Sequence, residues 1–441
     1  MTALAPVLLT IAVVLEILFL RIRFLRHLES HIVETIIIYV LSSLVYLFSV
    51  FLALQIPARA NRFSRKYLML LVAIPALTFR LTVWPVFPAL SDDVFRYRWE
   101  GKLQAQGGNP YQARPNDPQW AHLRDETFPF VGSKDFKAGY GPLLELFELW
   151  TYRVLTRFTP DGFQQAFWFK APFAFFDLAA IMALWALLKA RGWPPERLLI
   201  YAWSPLPVME FWATGHNDSV VVFFLLVALL SAAKERWTLS FAGLSLAAAA
   251  KIWPLLVFPI FIGWKGWRPR RWRQWSVLLP IAGLLALPYW SDVAENVRFM
   301  SGFLGGWRNN DSLFGLLLWL TGDIYRAKYL AFAIVISTSV FVTFRGWPLE
   351  KAVLAVIVTM LMFSANCHPW YLTWILPLLA FLPLPALLLW TALMPLAYHV
   401  LIRWVELREW RGSTDMRWLI YVPVYGLLVG RWLAERIGRR T

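Results

Sequence analysis

The sequence has little charge and almost no cysteine. Asp, Glu, Lys and Arg make up 16% of the 441 residues, against about 25% in soluble domains. The one cysteine, Cys367, excludes an internal disulfide. Apolar residues make up 59% of the chain, more than a soluble fold of this length can bury. The sequence therefore predicts an all-α polytopic membrane protein.

Nucleotide-binding patterns are also missing. We find no glycine-rich phosphate loop and no strand–turn–helix pattern typical of a nucleotide site. The sequence thus gives no support for an ATP or nucleotide-sugar site. It also has no HxxH or HxxxH spacing around His216 or His368. A divalent ion bound by these histidines and two carboxylates is conceivable, but the spacing does not favour it, so we expect no required cofactor.

The formal net charge of +16 comes from basic residues in short loops. This pattern is typical of cytoplasmic loops of membrane proteins, not of a nucleic-acid interface. The basic loops lie at 57–66, 189–197, 234–236, 265–273 and 431–440. This orientation places the loop that begins at residue 89 on the extracytoplasmic side. The segment 21–31, with Arg21, Arg23 and Arg26, then falls on the extracytoplasmic side, although its basic residues favour the cytoplasm.

Apolar stretches of membrane-spanning length, about 17 to 25 residues, divide most of the chain. They predict on the order of 11 to 14 membrane helices in a single integral-membrane domain, residues 1–441. We place them at 3–20, 33–55, 67–88, 164–188, 196–214, 218–233, 276–290, 328–344, 350–366, 384–402 and 418–435.

The stretch 238–264 has basic loops at both ends but is too short for two full crossings. A pair of short helices that meet near Lys251 and Pro254 satisfies both conditions, because proline breaks a helix. Lys251 would then lie at membrane depth and need an anionic partner. The alternative is one long tilted helix with a snorkelling lysine.

The loop and surface segment 89–158 is predicted to lie on the membrane. Its apolar residues between 139 and 158 recur at helical spacing: Leu143, Phe147, Trp150, Val154 and Phe158. Glu145, Glu148, Arg153 and Arg157 fall largely on other faces. This pattern indicates an amphipathic helix in the interface.

Ser91, Asp92 and Asp93 stand where the third apolar stretch meets this loop. Ser91 is a good helix N-cap, and two carboxylates in a first helical turn complement the helix dipole without any function. The functional alternative is a general base at the membrane edge, where a carboxylate with a raised pKa takes a proton from an attacking hydroxyl.

Other polar residues fall on the same predicted face of the membrane. They come from three further loops and from the break near Lys251, and any one of them alone could simply face water. The candidate binding residues are Arg96, His216, Asn217, Asp218, Lys251, Arg308, Asn310, His368 and Tyr371.

Several motifs resemble a known family. The stretch from Ser91 to Tyr111 looks like the first extracytoplasmic loop of bacterial GT-C glycosyltransferases, most of all the polyprenol-phosphate-mannose-dependent mannosyltransferases, including the family 87 type. Further matches follow in the same order: Tyr140-Gly-Pro-Leu143, Gly215-His-Asn-Asp218, Ala248-Ala-Ala-Lys251 with Pro254 and Pro259, and His368-Pro-Trp-Tyr371 with Pro377.

The resemblance implies a GT-C fold and an inverting transfer of a hexosyl unit, by expectation mannosyl. The donor would be a polyprenyl-phosphate sugar and the acceptor a lipid or glycan, at the extracytoplasmic face of a bacterial cell membrane, with membrane lipids as surroundings and no nucleic acid. It implies one catalytic base, Asp92 or Asp93; we lean slightly to Asp92, nearer the membrane end. Lys251, Arg308 and His368 would form a cationic cradle for the leaving phosphate.

Two other function classes share the many membrane helices. A secondary transporter builds sites from broken helices and midplane charges. It would more often show two related halves, which we do not find, and its essential acids should lie inside spans. A lipid flippase or polymer ligase shares the spans but not the Ser91-to-Tyr111 motif.

Overall fold

The computed structural model describes residues 4–56, 62–264, 272–292, 308–407, 409 and 412–437. Within these ranges the chain is helical, and its extended pairing is an isolated parallel bridge between Asn309 and Asn366. The α-helices of six or more residues are numbered α1 to α17 in chain order. They are Leu4–Leu25, Ile32–Leu54, Arg62–Val83, Asp93–Ala105, Pro142–Leu155, Gly162–Trp168, Ala171–Ala190, Asp218–Ala233, Trp237–Ala250, Phe258–Gly263, Leu278–Ala286, Leu313–Thr321, Ile324–Phe344, Leu349–Met362, Pro385–Leu393, Val400–Leu407 and Thr414–Ile437.

Six helical segments are long and apolar enough to cross a membrane. They are Ala5–Leu25, Leu28–Leu54, Lys66–Val83, Gly162–Ala190, Ile324–Phe344 and Pro385–Leu407. Three further apolar helices, Asp218–Ala233, Trp237–Ala250 and Trp253–Gly263, are shorter. The protein is therefore a polytopic, integral membrane protein. The described residues hold fewer full-length spans than the 11 to 14 predicted, because several apolar stretches form short or interrupted helices.

The segment 196–214 shows this difference most clearly, since the sequence predicted one span here. The structure instead has a 3-10 turn at Pro195–Leu198, two single helical turns, and a π-helix at Val208–Ala213. Pro205 and Pro207 begin and end the second turn. Proline lacks an N–H and clashes with the preceding turn, so a continuous α-helix cannot run through this segment.

A buried ion pair connects α3 to α7. Arg80 Nε donates to Asp177 Oδ2 at 2.6 Å, and both side chains are fully buried. Asp177 also accepts hydrogen bonds from Tyr201 and Trp212. These donors fix the irregular 196–214 segment against α3 and α7, because a buried carboxylate is costly unless each oxygen is paired.

Helix α5 buries two acidic side chains and exposes apolar side chains toward its C-terminal end. Glu145 and Glu148 are buried, whereas Trp150 is 59% and Val154 is 46% exposed. Gly101 of α4 allows the close packing of α4 on α5, since a Cβ there would lie 2.4 Å from a backbone oxygen of α5. The outward apolar face fits a helix that lies against a membrane surface.

Helix α9 ends at Ala250, and Lys251 has an extended backbone (φ −140°, ψ 141°). The chain then continues through a 3-10 helix, Trp253–Val257, into α10. Two short helical pieces thus meet at Lys251. The backbone N–H of Gly141 donates to the carbonyl of Ala250 at 3.0 Å, so the start of α5 lies directly against this break.

Candidate active site

Four segments that are far apart in the sequence meet at one polar site. The N-terminus of α4 supplies Asp93, and the turn before α8 supplies His216 and Asp218. The break after α9 supplies Lys251, and the 3-10 helix Pro369–Trp374 supplies aromatic rings. The side chain of Asp93 is 28% and that of Lys251 is 14% exposed. The site therefore opens to the protein surface at both charged groups.

Asp93 lies in the first turn of α4 and faces this site. Its backbone N–H donates to Ser91 Oγ at 3.2 Å. The residue just before the helix is Asp92 and not Ser91. Tyr97, one turn later, donates its hydroxyl to Asp93 Oδ2 at 3.3 Å. The same oxygen is 3.8 Å from His216 Nε2. Asp93 thus has one hydrogen-bond donor and one imidazole beside it.

His216 is held from behind by Glu210. Its Nδ1 is 3.0 Å from Glu210 Oε2 and 2.8 Å from Thr214 Oγ1. Tyr39 and Tyr398 donate to the two oxygens of the same carboxylate, at 2.9 and 2.7 Å. Burial alone would lower the pKa of His216, but the bond to Glu210 and the nearby negative charges raise it above its usual value. The charged form of His216 is therefore stabilised relative to that of a free imidazole.

Glu210 was not among the predicted site residues. It lies in the π-helix Val208–Ala213 and is completely buried. Irregular helical turns of this kind are frequent at functional sites. The sequence did contain a signal for Glu210, which is an acidic residue inside an apolar stretch. Carboxylates within a membrane are costly and are usually found where they have a function.

Lys251 has the anionic partner that its predicted depth required. Its Nζ is 2.7 Å from Asp218 Oδ1, and the Asp218 side chain is completely buried. Trp374 Nε1 donates to the same oxygen at 2.7 Å. The Lys251 ammonium also lies 5.8 Å from the ring centres of Tyr140 and Tyr371. Aromatic faces stabilise a cation while leaving its donors free for a ligand.

Stacked aromatic rings form one wall of the site. Trp370 stacks on His216 with ring centres 3.9 Å apart and on His368 with ring centres 4.5 Å apart. Tyr371 stacks on Trp374 at 4.6 Å. Asn309 Nδ2 lies 3.3 Å from His368 Nδ1. The sequence analysis selected His368 and Tyr371 but not Trp370, Trp374 or Asn309, which only the folded chain brings to the site.

His368 cannot serve as the predicted cation. Burial, and then the positive charges of His216 and Lys251, lower its pKa to about 3. The ring is therefore neutral at physiological pH and acts as a hydrogen-bonding and stacking group.

Asp92 faces different surroundings from Asp93. The residue is exposed as a whole, but its carboxylate packs on Gly132, where a Cβ would lie 2.2 Å from Oδ2. This enclosure of the carboxyl group, and then the charge of Asp93, raise the pKa of Asp92 to about 6. Lys134 and Arg96 are the cations near Asp92. Its carboxylate thus turns toward the loop around Gly132.

Arg96, a predicted binding residue, forms hydrogen bonds to groups of the protein itself. Its Nε donates to Glu100 at 2.5 Å, and its other nitrogens donate to the backbone carbonyls of Ser133 and Phe136, both at 2.9 Å. The side chain is buried. Two of its nitrogens thus hold the loop on α4, and Nε bonds within the helix.

Arg308 and Asn310 also bind within the protein. Arg308 makes two hydrogen bonds to Asp311, at 2.8 and 2.9 Å, and Asp311 also accepts from Arg417. Asn310 donates to the carbonyl of Cys367 at 3.1 Å. Asn310 therefore positions the segment that carries His368, and Arg308 shares Asp311 with Arg417.

Asn217 lies between His216 and Asp218 and is completely buried. Neither its side-chain nitrogen nor its oxygen has a hydrogen-bond partner among the described residues. A buried amide without partners is costly. A polar ligand at this site would supply them.

The arrangement joins a carboxylate, a lysine, a histidine with a raised pKa and a wall of aromatic rings. Aromatic faces pack on the apolar side of sugar rings, and the polar groups can bond hydroxyls. A carboxylate can accept a proton from a hydroxyl, and a cation can stabilise a phosphate. The site is thus equipped to move a sugar from a phosphate to a hydroxyl.

A family model for an alpha-(1->6)-mannopyranosyltransferase N-terminal domain matches residues 4–267. The chain belongs to this family. The mannosyltransferase contains Asp92, Asp93, His216, Asp218 and Lys251 within the matched residues. The protein is accordingly a glycosyltransferase, which confirms the predicted enzyme class and removes the transporter and flippase alternatives. Searches of curated proteins and of solved structures gave no match.

Proposed function

We propose that this mannosyltransferase moves a mannosyl unit from a polyprenyl-phosphate donor to a hydroxyl of a lipid or glycan acceptor, with inversion, at the extracytoplasmic face of the membrane. The observation that supports this most directly is the placement of Asp93, His216 and Lys251 at one site beside α5. The outward apolar face of α5 suits a neighbouring lipid chain, and no nucleotide-binding pattern is present in the sequence.

In this proposal Asp93 is the general base. The acceptor oxygen forms a bond to the anomeric carbon while Asp93 takes the hydroxyl proton. The bond between the anomeric carbon and the phosphate oxygen breaks, and polyprenyl phosphate leaves with the electron pair. Inversion requires the base and the leaving group to lie on opposite sides of the sugar ring.

Lys251 is the cation that would stabilise the leaving phosphate, because His216 lies 3.8 Å from the base Asp93 and therefore on the acceptor side of the sugar. Lys251 lies at the site beside the buried carboxylate of Asp218, whereas Arg308 and Arg417 share Asp311 and His368 is neutral. The leaving phosphate gains one negative charge as the bond breaks, and a cationic side chain can stabilise that charge in place of a metal. The proposal thus needs no metal at the reacting atoms.

The family name describes an α-(1→6) product. If this chain forms the same linkage, inversion requires a donor with the opposite, β, configuration at its anomeric carbon. Synthetic α- and β-mannosyl phosphates of one short polyprenol distinguish the two mechanisms, and we expect only the β donor to react.

The donor class is tested with purified protein in detergent or nanodiscs. We expect mannose transfer from a polyprenyl-phosphate donor and none from GDP-mannose, with Asp93→Asn as the inactive control. Transfer from GDP-mannose alone would overturn the donor assignment. Equal transfer by Asp93→Asn would overturn the assignment of the base but not that of the donor.

The cationic role of Lys251 needs a compensated variant, because loss of the lysine alone leaves Asp218 buried and unpaired. We therefore pair Lys251→Met with Asp218→Asn. This double variant should raise the KM for the donor by about tenfold or more and change the KM for the acceptor little, since one charged contact contributes about 1.5–3 kcal/mol. An unchanged donor KM would exclude Lys251 from the phosphate site.

A further inference from the structure

Three glutamates outside the candidate active site converge in the interior of the loop segment. Glu100 belongs to α4, and Glu145 and Glu148 belong to α5. Each is at most 1% exposed. One carboxylate oxygen from each lies within 4.8 Å of the others. The close packing at Gly101 brings the two helices together at this level.

The positive charge available to this cluster is insufficient. In the described part of the chain, Arg96 pairs with Glu100, and no ion pair reaches Glu145 or Glu148. Burial and mutual repulsion raise the pKa of Glu145 and Glu148, and when all three carboxylates are ionised, one guanidinium leaves two negative charges in a buried space. Such charges are costly unless they are paired.

The oxygens that face one another also lack hydrogen-bond donors. Both oxygens of Glu148, Oε1 of Glu145 and Oε2 of Glu100 are fully buried, and none has a partner among the described residues. Glu145 Oε2 accepts from Gln104 Nε2 at 3.1 Å. The side chain of Glu148 is therefore aimed into the cluster and finds no donor in the described part of the chain.

We propose that Glu100, Glu145 and Glu148 bind a hard divalent cation such as Mg²⁺, Ca²⁺ or Mn²⁺. Carboxylate oxygens are the ligands that these ions prefer, and the set contains no nitrogen or sulfur ligand. The two excess negative charges equal the charge of one such ion. The ion would satisfy the four oxygens that have no donor.

The bound ion has a positioning role. Glu100 follows Asp93 by about two helical turns, or about 10 Å along α4, so the ion does not touch the reacting atoms. It joins α4, which carries Asp93, to α5, whose first residues are hydrogen-bonded to Ala250 beside Lys251. The distance between base and cation at the active site would thus depend on this clamp.

Metal content and thermal stability test the proposal with the full-length protein. The protein is purified in detergent, freed of its affinity tag, treated with EDTA and dialysed against MgCl₂, CaCl₂ or MnCl₂. We expect about one ion per chain by mass spectrometry and a rise in apparent Tm of about 5 °C on ion addition. Glu148→Gln should lose both the ion and the rise in Tm, whereas the exposed control Glu435→Gln should keep them.

Three results would overturn the proposal. The wild-type protein could bind no stoichiometric ion, Glu148→Gln could bind it equally well, or stability could rise steadily as pH falls without any response to ions. The last result would mean that protons neutralise the carboxylates. Glu145→Gln provides a second variant if Glu148→Gln does not fold, and the wild-type measurement decides without either.

Discussion

Asp92 and Asp93 are neighbours in sequence but turn to different parts of the molecule. Successive residues at a helix start point about 100° apart, so only one of the two can face a given site. Asp93 faces His216 and Tyr97, and Asp92 packs on Gly132. The sequence could predict the pair from its position at the membrane edge. It could not separate the two residues, because His216 and Gly132 come from distant segments.

We expect Asp93→Asn to lower kcat by at least about a hundredfold, since the amide keeps the shape but cannot accept the proton. Asp92→Asn should lower kcat much less. Initial rates with a polyprenyl-phosphate donor measure both, and size-exclusion profiles show that each variant is folded. The reverse order of the two effects would make Asp92 the base, as the sequence alone slightly favoured.

Asp92 should also make stability depend on pH. Its pKa in the folded state, about 6, is above the value of about 3.9 for an unfolded chain. Between these values the folded state binds more protons, so stability falls as pH rises through 6. Asp92→Asn should therefore raise the apparent Tm at pH 7.5 and change it little at pH 4.5. The effect should be small, because water reaches this residue. An equal effect at both pH values would exclude the titration of Asp92 as its cause.

At the scale of single elements, the segment from 196 to 214 differs most from the sequence-based prediction. Its hydropathy predicts a continuous span, but Pro205 and Pro207 interrupt it and the π-helix turns Glu210 inward. Hydropathy averages over a stretch and so does not register these breaks. The partners of Glu210, Tyr39 and Tyr398, lie 171 and 188 residues away in the chain. No local pattern could have predicted that network.

Glu210 should act through His216. Glu210→Gln removes the negative charge that raises the pKa of His216, so the charged form of the imidazole is lost at a lower pH. We expect the basic limb of the kcat/KM profile to move to lower pH and kcat/KM at pH 7.5 to fall about tenfold, for the loss of roughly 1.4 kcal/mol of transition-state stabilisation.

The control for this variant is Glu435→Gln, at an exposed ion pair on α17. A uniform loss of activity at every pH would mean that Glu210 only supports the fold. Glu210 is then a packing residue and not a positioning residue for His216.

At the scale of the whole molecule, composition was sufficient to predict an all-α membrane protein. So much apolar surface cannot be buried in a soluble core and must contact the lipid bilayer. The basic loops predict its orientation. The number of full spans was not predictable from apolar length, since short helices such as α8 and α9 pack inside the protein and need not reach across.

The buried Cys367 makes the orientation testable. It is fully buried, so the native protein should not react with a membrane-impermeant maleimide. Gln119→Cys, in the exposed loop between α4 and α5, should react from outside intact cells. Ala190→Cys, at the exposed end of α7, should react only after the cells are opened. The opposite pattern would place the candidate site in the cytoplasm and end the proposal for a lipid-linked donor at the outer face.

The exposed apolar side chains near the C-terminal end of α5 limit how this enzyme can be truncated and purified. A fragment limited to the loop would expose Trp150, Val154 and Phe158 to water while its glutamates stay buried. Such a fragment should aggregate, or its α5 should rotate to bury the apolar side chains. We therefore expect that no soluble active fragment can be made from the loop alone. In the intact protein these three apolar side chains need contact with lipid, although they do not belong to a membrane-spanning helix. The amphiphile chosen for purification should therefore influence activity through contact with the loop as much as with the spans.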